Sequence, residues 1–77
     1  MQNGTSITFS TKTAQILTQR ELEILVQISF GFSSKEIAVR MYLSPHTVNN
    51  HRKNMLLRSQ CGNVAELVRI AMLEQLL

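Results

Sequence analysis

The chain has 77 residues, 44% of them hydrophobic, and a formal net charge of +3 at pH 7. A chain of this size forms one small domain and buries only about 60% of its unfolded surface. It lacks a hydrophobic run long enough to cross a bilayer and the basic, then apolar, start of a secretion signal, so we expect no membrane association. The single cysteine, Cys61, has no second cysteine with which to form an internal disulfide, which favours a cytoplasmic location.

The charges are unevenly distributed along the chain. Residues 37–65 contain no Asp or Glu, but they include four cations, Arg40, Arg52, Lys53 and Arg58. Such segregation is typical of a surface that binds phosphate groups.

Residues 1–15 differ in composition from the rest. They are rich in Thr, Ser, Asn, Gln and Gly, carry one charge (Lys12) and have no helical periodicity. We interpret them as a linker or flexible arm that precedes a domain at residues 16–77. A linker in this position indicates that another domain comes before it.

The first predicted helix covers residues 17–28. Thr18 is its N-cap, and Glu21 three positions later completes a capping box. Gly31 ends the helix as a left-handed residue. The helical period predicts a buried stripe formed by Leu22, Leu25, Val26 and Ser29.

A second, shorter helix is predicted at residues 34–41. Ser33 and Glu36 form its capping box, and Ile37, Ala38 and Met41 face inward. A tight turn at Tyr42–Leu43 then leads to the next helix. Two short helices joined in this way form a helix-turn-helix.

The third predicted helix, residues 45–58, has Ser44 as N-cap and Pro45 at its first position. At 100° per residue, Val48 and Met55 point toward the core, with His51 and Arg52 at the edges of that stripe. The opposite face carries mostly polar and cationic side chains: His46, Asn49, Asn50, Lys53 and Leu57. Asparagine and lysine are side chains that reach base edges in the major groove.

The N-terminus of this third helix also differs from the others. Thr18/Glu21, Ser33/Glu36 and Asn63/Glu66 place a carboxylate in the first turn, whereas the helix that begins after Ser44 has Thr47 there. Without a carboxylate the positive end of the helix dipole attracts an outside anion, as a phosphate-binding site requires.

A fourth helix is predicted at residues 64–76, capped by Asn63, with apolar side chains on two sides. One stripe comprises Val64, Leu67, Val68 and Ala71, and the other comprises Ile70, Leu73 and Leu77. Since a small domain cannot bury both faces of a terminal helix, we expect a homodimer that forms through the second stripe. The alternative is that this stripe packs under the N-terminal arm or against a missing domain.

These segments resemble a known family of DNA-binding domains. LTQRELEIL, GFSSKEIAVRMYLSPHTVNNHRKNML and NVAELVRIA are similar to the DNA-binding domain of LuxR/FixJ/NarL (GerE-like) bacterial transcriptional regulators, over residues 17–72. The resemblance implies an all-α four-helix bundle, winged-helix-like but without a wing. It also implies that the third helix enters the major groove, that the fourth supports dimerisation, and that a receiver or sensor domain comes first. The chain departs from the family at Asn49, where many members have Lys, and at Ser59 and Gln60, where Leu and Gly are common.

The expected function is therefore sequence-specific binding of double-stranded DNA by a regulator in the bacterial cytoplasm. The predicted base contacts are Asn49, Asn50, Lys53 and His46. The resemblance implies phosphate contacts from Lys35 and Thr47, to which the charge and cap patterns add Arg52, Arg58 and Ser44.

Two other classes of function are alternatives to DNA binding. An enzyme is not expected, because the chain has no Asp, no metal-ligand spacing and no Gly-rich phosphate loop, so no cofactor or metal is predicted. The remaining alternative is a promoter-reading, sigma-factor-like module or a protein–protein interaction module that acts with RNA polymerase.

Overall fold

The computed structural model describes residues 12–77, except for the side chains of Lys12 and Ala14. This part of the chain is all-α and contains no strand. The helices are α1 (Lys12–Ile16), α2 (Gln19–Ser29), α3 (Ser34–Met41), α4 (Pro45–Ser59) and α5 (Val64–Leu73). The predicted all-α fold, with four main helices and a helix-turn-helix at α3–α4, is confirmed. None of the described helices has the length and apolarity to span a bilayer.

Helix α1 was not predicted. It overlaps the end of the segment that we interpreted as a non-helical arm, and Thr13 within it is only 3% exposed. The Thr13 N–H donates to Oε1 of Glu74, 3.2 Å away at the end of α5. The expected arm is therefore wrong at residues 12–15, while residues 1–11 lie outside the described part.

The predicted caps are present at the helix starts. Thr18 and Ser33 each accept a hydrogen bond from the N–H of the glutamate three residues on, and the glutamate accepts one from the cap N–H in return. Asn63 accepts from the Glu66 N–H (2.9 Å), but the Glu66 carboxylate accepts from the Gly62 N–H (2.7 Å), one residue before the cap. The third capping box therefore forms in a shifted version.

Left-handed residues end the helices. Gly31 has φ +96, and its N–H donates to the Ile28 carbonyl (2.9 Å), as predicted for the end of α2. Tyr42 (φ 58) and Gln60 (φ 60) take the same conformation after α3 and α4, although neither is glycine. The turn of the helix-turn-helix is thus made by a residue with a Cβ, in a conformation that favours glycine.

Each main helix contributes two residues to one continuous core. The buried hydrophobic residues are Ile24 and Leu25 of α2, Ile37 and Ala38 of α3, Val48 and Met55 of α4, and Leu67 and Ala71 of α5. Full burial of an aliphatic side chain contributes about 1.5–3 kcal/mol, so these residues determine how the helices pack. The inward positions predicted for α3 and α4 are confirmed.

The buried stripe predicted for α2 is displaced by one position along the sequence. Ile24 and Leu25 are fully buried and Glu21 is 2% exposed, whereas Leu22 and Val26 are half-buried and Ser29 is exposed. The buried set has spacings of three and four that begin at Glu21, so an acidic residue occupies a core-facing position.

Helix α5 ends earlier than predicted. It stops at Leu73, and Gln75 takes a left-handed conformation (φ 63) while the Leu76 N–H donates to the Ala71 carbonyl (2.9 Å). Leu77 is therefore not on the helix, and the spacing that grouped it with Ile70 and Leu73 does not hold.

Candidate nucleic-acid interface

Helix α4 presents two different faces. Val48 and Met55 are fully buried against the other helices, which fixes the rotation of α4 about its own axis. His51 and Arg52 are half-buried at the edges of this buried stripe. The opposite face is exposed, and its side chains are His46, Asn49, Asn50, Lys53 and Leu57. The structure thus brings all four predicted base-contact residues onto one exposed face.

Hydrogen bonds link two of these side chains to their neighbours. The hydroxyl of Ser34, in α3, donates to Oδ1 of Asn49 over 2.7 Å. Nδ2 of Asn50 lies 3.4 Å from Nε2 of His46, one turn earlier in α4. The shorter bond joins the two helices of the helix-turn-helix directly at the exposed face, and no local sequence signal predicts it because the two residues are 15 apart.

The N-terminus of α4 carries the hydroxyl pair predicted to contact phosphate. Oγ of Ser44 accepts from the Thr47 N–H (3.1 Å) and lies 2.9 Å from the Thr47 hydroxyl oxygen. A bond between two hydroxyl groups uses one of their two hydrogens, so the other is left to donate to an outside acceptor. With no acidic residue in the first turn of α4, this end of the helix favours an anion.

The cations of α3 and α4 occupy different environments. Lys35 is exposed near the start of α3, and Arg52 is half-buried beside the core. Arg40 is exposed, but its guanidinium lies 4.2 Å from the centre of the Phe32 ring and its Nε donates to Oε1 of Gln27 (2.9 Å). Arg40 therefore connects α3 to the end of α2 and to the loop that follows it.

Arg58 has a partner that the sequence did not reveal. Its guanidinium forms an ion pair with the carboxylate of Glu21, whose side chain is 3% exposed, while the Arg58 side chain is 43% exposed. The same carboxylate accepts the Thr18 N–H over 2.9 Å. The position of Arg58 thus serves the packing of α4 on α2, which removes the main reason for assigning this arginine to a phosphate.

Glu36 is the acid nearest in sequence to the exposed cations of α3. Hydrogen bonds from the backbone and side chain of Ser33 lower its pKa below the ordinary value of 4.5, and Arg40 adds to this effect. The carboxylate is thus committed to capping α3. Its negative charge stays at the start of α3, outside the acid-free segment that contains α4.

A helix-turn-helix whose second helix is anchored by its apolar face and exposes amide and cationic groups is the architecture of a DNA-binding domain. Residues 15–71 match the family described as "Bacterial regulatory proteins, luxR family". The chain belongs to this family of DNA-binding domains, which are not enzymes, and the resemblance stated from its motifs is confirmed.

The chain is also similar to several regulatory proteins. It is 38% identical over 63 residues to the oxygen regulatory protein NreC of Staphylococcus carnosus, covering 82% of this chain and 29% of that protein. The same identity and coverage hold for NreC of Staphylococcus aureus. It is 42% identical over 40 residues to the transcriptional regulatory protein LnrK of Bacillus subtilis, covering 52% of this chain and 18% of that protein. The chain thus spans less than a third of the length of these relatives.

Proposed function

We propose that α4 lies in the major groove of double-stranded DNA and that Asn49, Asn50 and Lys53 read base edges there. The observation that carries the proposal is that burial of Val48 and Met55 turns these three side chains outward on one face. His46 flanks them in the first turn. Amide and ammonium groups in such a position match the hydrogen-bonding edges of adenine and guanine.

Phosphate contacts would come from the rim of this face. The Ser44–Thr47 hydroxyl pair and the uncompensated end of the α4 dipole suit one phosphate, and exposed Lys35 suits another. Arg52 is half-buried at the edge of this face, and its long side chain would add a third. Arg58 is left out because Glu21 holds it.

The whole protein would be a cytoplasmic transcriptional regulator in which this domain is the effector. The relatives carry the names of regulatory proteins and are more than three times as long as the matched segment. We infer that a receiver or sensor domain controls this one, as expected for a response regulator.

Self-association through α5 forms part of the proposal, with a smaller surface than the sequence indicated. Leu73 is 72% exposed and remains the best candidate, whereas Ile70 is half-buried and lines a depression of about 120 Å³ together with Thr13 and Ile16 of α1. Leu77 is 37% exposed, off the helix, beside Phe30 and Met72. The dimer contact would therefore centre on Leu73, because α1 already covers part of the stripe.

Binding to duplex DNA, measured by fluorescence anisotropy at several salt concentrations, tests the base and phosphate assignments. Asn50→Ala should cost about 1–3 kcal/mol on the preferred sequence and relax the preference at one position, whereas Lys35→Ala should weaken all sequences equally and reduce the salt slope by about one unit. Arg69→Ala, which removes an exposed cation from α5, is the matched control and should leave the slope unchanged. The proposed orientation is wrong if Asn50→Ala and Lys35→Ala both bind as the control does.

Sedimentation with and without duplex DNA tests the dimer. Leu73→Glu should abolish self-association and change the free energy of unfolding by no more than about 0.5 kcal/mol, as expected for an exposed position. Val39→Glu places the same charge at an equally exposed site of α3 (74%) and should leave the dimer intact. Unfolding of the Leu73 variant would instead identify that leucine as part of the core.

A further inference from the structure

The hydrogen bond between Ser34 and Asn49 restricts what Asn49 can present to DNA. A free asparagine amide offers one acceptor oxygen and an NH₂ group with two donor hydrogens. Here the Asn49 oxygen faces the Ser34 hydroxyl at 2.7 Å, so the NH₂ group is the part of the amide that points away from α3. The negative potential of an approaching duplex favours the same orientation, because it stabilises donors that face the DNA.

The bases differ in whether they can use such a donor. Bidentate recognition of adenine needs the asparagine oxygen to accept from N6 and the NH₂ group to donate to N7. Guanine presents O6 and N7, and thymine presents O4, all of which are acceptors in the major groove. An asparagine whose oxygen is turned toward α3 therefore suits a G·C pair, where guanine O6 and N7 both accept, better than an A·T pair, where bidentate contact with adenine requires that oxygen.

Asn50 is not restricted in this way. Its NH₂ nitrogen lies 3.4 Å from the His46 ring, at the long end of the hydrogen-bond range, and this contact engages the donor rather than the oxygen. Asn50 thus keeps its oxygen as an acceptor and one further N–H, the combination that adenine requires. Two neighbouring asparagines on one helix consequently have different recognition properties.

We propose that Ser34, which lies outside the recognition helix, is a positioning residue that makes Asn49 a hydrogen-bond donor and so favours a G·C pair over an A·T pair at one position of the operator. The inference rests on the proposed function, since it requires α4 to lie in the major groove. Ser34 itself contacts no base; it acts through the amide of Asn49.

Selection of bound sites from random duplex DNA, followed by sequencing, tests this role. The Asn49→Ala variant identifies the base pair that Asn49 reads, and the parent chain should select G·C rather than A·T there. Ser34→Ala should weaken that preference by about threefold to tenfold, the value of one hydrogen bond, and leave the other positions unchanged. Ser34→Thr keeps a hydroxyl and should restore the preference. Ser29→Ala removes an exposed hydroxyl that donates within α2 to the Val26 carbonyl (2.5 Å), and this variant should select the parental sites.

A double variant separates positioning from an independent contact. If Ser34 acts through Asn49, Ser34→Ala combined with Asn49→Ala should select the same sites as Asn49→Ala alone, because the effects of coupled residues are not additive. Equal preferences for the parent and Ser34→Ala would overturn the inference, and so would parental selection of an A·T pair at the Asn49 position. That second criterion needs no Ser34 variant to fold.

The two proposals fail in different ways. A parent chain that selects no sequence at all refutes the placement of α4 in the groove. A parent chain whose selected sites depend on Asn50 and Lys53 but not on Ser34 refutes only the positioning role.

Discussion

The Arg58→Met substitution tests whether Arg58 serves packing or DNA binding. A packing role predicts a loss of stability with an unchanged salt dependence of DNA binding, and a phosphate contact predicts the reverse. Methionine keeps much of the aliphatic stem but removes the charge that faces the Glu21 carboxylate. Loss of one partner from a fully buried ion pair costs about 3–5 kcal/mol. Arg58 is nearly half exposed and Glu21 retains its bond from the Thr18 N–H, so we expect a loss of about 1–3 kcal/mol.

Thermal denaturation and the salt dependence of DNA binding should be measured on the same samples. Each 1 kcal/mol corresponds to a fall in Tm of about 4–8 °C for a domain of this size, while the salt slope should be unchanged. The matched control is Arg20→Met. Arg20 is 48% exposed and pairs with Glu23 at 3.5 Å, but the Glu23 side chain is 46% exposed. A solvated pair of this kind contributes about 0–1 kcal/mol, so the control should barely change Tm.

The result that refutes this reasoning is a salt slope that falls by about one unit with a Tm equal to that of the Arg20 variant. Arg58 would then contact phosphate, and Glu21 would tolerate its absence. A further check uses Glu21→Gln, which keeps a capping oxygen without the buried charge. In that background Arg58→Met should cost less than in the parent chain, because the two residues are coupled.

Two other predictions concern single backbone or charge features. Gln60→Gly should raise the free energy of unfolding by about 0.5–1 kcal/mol in urea denaturation, because Gln60 is exposed and left-handed, whereas Gln60→Ala keeps a Cβ and should give no gain. The folded state lowers the pKa of Glu36 from its ordinary value of 4.5, so the ionised carboxylate stabilises the domain. This stabilisation is fully present when the pH is above 4.5, and it is lost as the pH falls through the lowered pKa. The parent should therefore be more stable than Glu36→Gln at neutral pH, with the difference vanishing in acid; a difference that is independent of pH would contradict the assignment.

The exposed face of α4 was predictable from sequence. Once the buried residues of a helix are known, the helical period determines which residues lie on the opposite face. Val48 and Met55 are the apolar residues on their side, so the opposite positions followed directly. The same reasoning was wrong for α2 because Glu21 belongs to the buried stripe. A search for apolar residues alone does not include a buried carboxylate. The spacing of three and four residues from Glu21 to Ile24 and Leu25 was the signal that could have placed Glu21 in the buried stripe.

The contacts between helices were not predictable from the sequence. Arg58 meets Glu21, and Ser34 meets Asn49, only after the core has set the distances between helices. Local patterns also failed to place the end of α5, because Gln75 adopts a left-handed conformation without being glycine. Residue type thus indicated which groups were available for binding DNA, while the tertiary structure determined which of them were already engaged.

The Glu21 carboxylate has a mechanical consequence for the domain. One of its oxygens holds the backbone at Thr18, where the chain passes into α2, and the other pairs with Arg58 in the last turn of α4. The backbone at the start of α2 is therefore linked through a single side chain to the last turn of α4. A displacement of the backbone at Thr18 therefore also acts on the ion pair at Arg58, so we expect the start of α2 and the end of α4 to move together.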